Sequence, residues 1–196
     1  MELDELLDRL REFDLLLDTD PNFPNVAALV AGETVRGSSW THPEAREMYR
    51  VSTQLGAHPD VLAIKLVSGK ITFINRPLWM AVLAIGTARE PWQMRGLSKD
   101  AAVLLRKSDQ EASLMSSGDP VRELEARLLV HSQSVHTERG FHKKQVQTWK
   151  AWADSVRLGP VALTAAEGKA QLESVVARLN KQFGAQGTLP WELKRA

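Results

Sequence analysis

The stretch that most constrains the fold is Asp60 to Trp79, DVLAIKLVSGKITFINRPLW. Two β-prone runs flank Ser68-Gly69, and the second leads straight into an apolar segment opened by Pro77. A two-residue turn at Ser68-Gly69, with glycine supplying the positive φ such turns require, predicts a hairpin over 61–75. The register then sets Leu66 opposite Ile71, Lys65 opposite Thr72, Ile64 opposite Phe73 and Leu62 opposite Asn75. Opposed residues share a face and successive residues alternate. One face therefore collects Leu62, Ile64, Leu66, Ile71 and Phe73. The other holds Ala63, Lys65, Val67, Lys70, Thr72 and Ile74, and its two lysines make it the face for solvent or a ligand.

Around this hairpin the chain reads as helical. Leu3, Leu6, Leu7, Leu10, Phe13 and Leu17 recur at helical spacing over residues 2–17. A short apolar helix follows from Asn25 and ends at Gly32. The turn-rich loop Arg36-Gly-Ser-Ser-Trp40-Thr-His42-Pro43 leads into a helix from Glu44 to Leu55. That helix turns Met48, Val51 and Leu55 inward and sets Arg46 and Arg50 together on another face. Beyond the hairpin, Pro77 opens a helix apolar nearly all round, ended by Gly86 and Pro91. Ser98 caps a helix running to about Leu114, with Val103, Leu104 and Leu105 toward the core. Ser116 to Pro120 is the best candidate boundary. After it, helices are predicted over 120–139, 141–158 and 164–183, the last opened by the capping box Thr164 to Glu167. The closing residues form an arm docked through Trp191.

The fold class expected is mainly α with one β-hairpin. A winged-helix-like N-terminal part, residues 1–115 with the hairpin at 61–75, precedes a helical C-terminal part, a three-helix region over 119–196 packed on it. The chain contains no cysteine, which removes disulfides, thiol nucleophiles and thiolate metal sites. The acidic, amphipathic start is unlike a signal peptide, and the longest apolar run falls far short of a membrane span. A cytoplasmic protein with no membrane partner and no cofactor is expected.

The net charge of +1 is unevenly spread. Residues 1–35 carry nine acids against two arginines, whereas residues 36–107 carry eleven Lys/Arg against five Asp/Glu. A basic middle segment points to an anionic partner, or to packing beside the acidic first helix. In winged-helix proteins the helix before the hairpin enters a groove of DNA and the hairpin touches the backbone. On that analogy Arg46 and Arg50 on the helix, Lys65, Lys70 and Arg76 on or after the hairpin, and Trp40 with His42 in the preceding loop are the candidate nucleic-acid-binding residues. The expected function is a nucleic-acid-binding protein, in DNA repair or regulation.

A second cluster, His131 to His142, holds three of the five histidines. His131 shares a stripe with Leu124, Leu128 and Val135 and reads as a core residue. His136, Glu138 and His142 would meet where two helices fold back through Gly140. Such a corner could bind a metal or orient a general base, although its spacing matches no metalloenzyme motif. This keeps a hydrolase reading open, so whether the chain is an enzyme stays undecided. A protein-interaction module with a protein partner is the third alternative.

Several strings together resemble an uncharacterised bacterial protein family. They are Arg36-Gly-Ser-Ser-Trp40-Thr-His42-Pro43, His58-Pro-Asp-Val61, Lys65-Leu-Val-Ser-Gly-Lys70 with Thr72-Phe73, Leu78-Trp79, and Arg89-Glu-Pro-Trp92. The resemblance runs along nearly the whole chain and implies a whole-length unit. It carries no activity with it.

Overall fold

The computed structural model describes residues 1–136 and 142–192, and for Val135, His136 and His142 the backbone alone. It corrects the expected fold class. The chain is 53% helical but also holds two three-stranded antiparallel sheets, so it is mixed α/β and not mainly α with one hairpin. The chain divides into two compact units, residues 1–79 with 170–196, and residues 80–169.

In the first unit, α1 (Leu3–Phe13) buries Leu6, Leu7, Leu10 and Phe13. It stops at Asp14, whose left-handed φ of 69° lets its N–H close on the Leu10 carbonyl. Leu17, expected on this helix, lies instead in β1 (Leu15–Leu17). All three leucines of β1 are fully buried, and such a run has no period to tell strand from helix. The helices α2 (Val26–Ala31) and α3 (Ala45–Gly56) follow. Asn25 caps α2 by accepting from the Ala28 N–H at 2.9 Å, and α3 buries Met48, Val51 and Leu55 as its spacing predicts.

The hairpin is β2 (Val61–Lys65) and β3 (Ile71–Asn75), with β3 in the middle of the order β1-β3-β2. Its register differs by one residue from the expected one: Lys65 lies opposite Ile71, Ile64 opposite Thr72 and Leu62 opposite Ile74. The turn itself forms at Ser68-Gly69, both left-handed, with the Lys70 N–H donating to the Val67 carbonyl at 3.0 Å. The slip arises next to it, where Leu66 leaves the strand conformation at ψ −77° and adds one residue to the first strand. Such a bulge allows two successive side chains to turn inward, and Leu66 and Val67 are both completely buried. Strict alternation would have exposed one of them. Thr72 consequently joins the buried face with Leu62 and Ile64, while Ile71 is 45% exposed beside Lys65.

The C-terminal part of α9 (Ala165–Phe183) completes this unit, burying Leu172, Val176 and Leu179. The arm after it is pinned at three points. Asn180 exchanges two hydrogen bonds with Gly187, the Ser68 N–H donates to the Thr188 carbonyl at 2.7 Å, and Leu189 is fully buried. Trp191 donates to Glu173 at 2.7 Å.

The second unit contains most of α4 (Trp79–Ala88), then α5 (Pro91–Met94), α6 (Lys99–Gln110), β4 (Leu114–Ser116), α7 (Asp119–Ala126), β5 (His131–His136), β6 (His142–Gln147) and α8 (Trp149–Ser155). The α4 helix runs through Gly86, which packs rather than stops: a Cβ there would come within 2.3 Å of the Trp149 ring. Val103 on α6, expected in the core, is 41% exposed, whereas Leu104 and Leu105 are buried. The two helices expected over 120–158 are a correction as well. Only 119–126 is helical before Leu128 takes a left-handed φ of 52°, and β5 and β6 then pair in the order β4-β6-β5. No helix among the described residues is long and apolar enough to cross a membrane.

Candidate nucleic-acid interface

The face of α3 opposite its buried stripe carries Arg46, Tyr49 and Arg50, all exposed. These positions lie three and four apart and so share one side of the helix. Trp40 is brought over this side by the short 3-10 turn Ser39–Thr41. Its indole is 73% exposed and packs against the Tyr49 ring at 5.7 Å between centroids, tilted by 41°. Two large aromatics rarely stand open to water on a folded surface, because their burial is favourable.

The turn beneath Trp40 is fixed locally. The Thr41 hydroxyl donates to the Ser38 carbonyl at 2.9 Å, and the His42 N–H donates to the Ser39 carbonyl at 3.2 Å. The His42 ring accepts at Nδ1 from the Glu44 N–H at 3.1 Å and turns Nε2 toward Glu33, 3.6 Å away. His42 thus joins the turn to α3, and at 19% side-chain exposure it presents little surface of its own.

The basic side chains differ in how they are engaged. Arg50 pairs with Glu47 at 2.5 Å and donates to Gln54 at 2.9 Å. The hydrogen bond from Arg50 holds the Glu47 carboxyl below its ordinary value. Arg76 pairs with Asp60 at 3.0 Å and lies 5.0 Å over the Trp79 ring. Lys70 pairs with Asp20 at 2.7 Å, and Lys65 on the neighbouring strand is half-buried. Arg46 and Arg36, by contrast, are exposed and enter none of the hydrogen bonds or ion pairs among the described residues. The sequence-derived set therefore divides. Arg46, Arg50, Trp40 and His42 gather on or beside α3, while Lys65, Lys70 and Arg76 belong to the hairpin.

Beside the start of the Trp40 loop lies an open cleft of about 380 Å³, lined by Thr19 to Asn22, Thr34 to Gly37, and Lys70. Burial pushes the Asp20 carboxyl up, but the Lys70 ammonium and the N–H groups of Phe23 and Asn22 outweigh it and hold it below the ordinary carboxylate value.

The second candidate cluster takes a different form from the one expected. Glu138 lies outside the described residues, as do the side chains of His136 and His142. The backbone makes His136 and His142 register partners in the β5-β6 ladder, so paired antiparallel strands stand where two helices are expected. His131 is buried, stacked on Trp152 at 5.6 Å and edge-on to Trp149 at 5.8 Å, with Gln147 3.2 Å from its Nδ1. Burial pushes its pKa down to about 4 against the pull of Glu125. Glu125 in turn accepts at one oxygen from Ser132 and Lys144. Among the described residues no group of three or more His, Asp or Glu is placed to hold a metal ion.

Tyr49 and Arg36 were not singled out from the sequence. Tyr49 is the sole tyrosine of the chain and lies three residues after Arg46, so the helical period alone places it on the same side. Arg36 opens the RGSSWTHP loop, but nothing in its spacing reveals a cleft. No protein-family model matches the chain, and neither a curated protein nor a solved structure is significantly similar to it.

Proposed function

We propose that the first unit binds nucleic acid through the exposed side of α3 and the Trp40 turn. The observation that carries this reading is the open Trp40-Tyr49 pair flanked by Arg46 and Arg50 on one helix face. Arginine supplies charge for phosphate and a planar donor set for base edges, and exposed aromatics supply stacking surface. The hairpin contributes less than the analogy with a wing suggests, because Lys70 is already engaged by Asp20 and Thr72 is buried. Glu44 and Glu47 reduce the field of α3, and Glu47 is itself neutralised by Arg50.

The test is fluorescence anisotropy with labelled DNA at rising salt. Binding is expected to weaken steeply between about 50 and 200 mM salt, since phosphate neutralisation releases counterions. Arg46→Glu, on an exposed and unpaired position, is expected to weaken binding about tenfold or more without altering the fold. Affinity that ignores salt, or that survives Arg46→Glu unchanged, contradicts the proposal.

A further inference from the structure

Resting on that reading, we infer that the cleft lined by Asp20, Asn22, Thr34, Arg36 and Lys70 is a backbone-phosphate subsite, and that the strand bound is single-stranded. Its volume of about 380 Å³ is room for a phosphate and the sugar beside it. The charges at its wall favour an anion. Arg36 is uncommitted, and Lys70 is held in place by one oxygen of Asp20. The other Asp20 oxygen is occupied by the N–H groups of Asn22 and Phe23, at 2.9 and 2.7 Å. The carboxylate thus orients the lysine, and the two cations against one acid leave the cleft net positive. Asn22, Thr19 and Thr34 add neutral hydrogen-bonding groups.

The neighbouring aromatic pair fixes the kind of strand. Arg36 and Trp40 are four residues apart, so their Cα atoms are separated by at most about 14 Å. A base can lie on the indole only if it is unstacked, which a single strand offers and an intact duplex does not. Phosphate in the cleft and base on Trp40 are within reach of one short stretch of strand.

The experiment measures the salt dependence of binding for oligothymidylate, with a duplex of the same length for comparison. For a single strand the slope of log affinity against log salt is about −0.7 per phosphate neutralised. Arg36→Ala is expected to reduce that slope by about 0.7 and to lower affinity severalfold, with Arg36→Lys restoring the slope. Arg9→Ala, which removes a surface arginine paired with Glu12, is expected to leave it unchanged. An unchanged slope in Arg36→Ala with oligothymidylate still bound overturns the phosphate subsite. Preference for the duplex overturns the single-strand assignment while leaving nucleic-acid binding intact. Failure of both nucleic acids to bind removes this inference together with the function it rests on.

Discussion

At the scale of single residues, one exposed ring and one buried ring have opposite fates. Trp40 stands on a turn held by Thr41 and His42, so its indole is presented without the entropy cost of ordering a loose loop. His131 is the reverse case, a ring confined between Trp149 and Trp152. Its pKa, pushed down to about 4, makes a pH prediction whose sign is fixed. The unfolded chain binds a proton near pH 6.5 and the folded chain resists it, so the stabilisation is complete above pH 6.5. It is lost as pH falls from there toward 4, by on the order of 3 kcal/mol. Denaturant unfolding across that window is expected to show a steeper loss in the native chain than in His131→Phe. Equal slopes for the two would mean that His131 is not held neutral.

At the scale of elements, the bulge at Leu66 decides the register of the hairpin. It depends on Thr72, whose hydroxyl accepts from the Val67 N–H at 3.1 Å and donates to the Lys70 carbonyl at 3.0 Å. Thr72→Val would leave the buried Val67 N–H unpaired and is expected to destabilise the fold by about 1–3 kcal/mol in denaturant unfolding. A neutral effect would show that the bulge holds itself. Spacing revealed the helices α1, α2, α3 and α9 because their apolar periods are regular, and at α2 and α9 the caps agree as well. It could not reveal β1, a run of three leucines, or the slip at Leu66, where burying both Leu66 and Val67 prevails over alternation. The polar strands HSQSVH and KKQVQ were hidden for another reason. Leu124 and Leu128 continue a helical stripe into them, and the chain leaves that helix at a left-handed leucine that no turn residue announces.

At the scale of the molecule, the uneven charge of the sequence is only partly spent on internal pairing. Asp20 and Asp60 take up Lys70 and Arg76, two of the hairpin's three cations, and Asp14 pairs with Arg178 of α9. Of the basic segment's exposed cations outside such pairs, Arg36 and Arg46 lie at the Trp40 loop and α3, and Arg95, Lys99, Arg106 and Lys107 lie in the second unit. The Trp40 site was half legible: Trp40, His42, Arg46 and Arg50 follow from loop composition and helix period, while the cleft exists only once the Asp20 turn and Lys70 fold together. The central claim is that Trp40, Tyr49 and Arg46 form the nucleic-acid contact. An amide and indole NMR titration with oligothymidylate tests it most directly, because the six tryptophan indoles report separately. The account predicts that the Trp40 indole and the amides of α3 shift together, while the buried Trp79 and Trp149 indoles stay still. Shifts centred on any other tryptophan, with Trp40 unmoved, would contradict it.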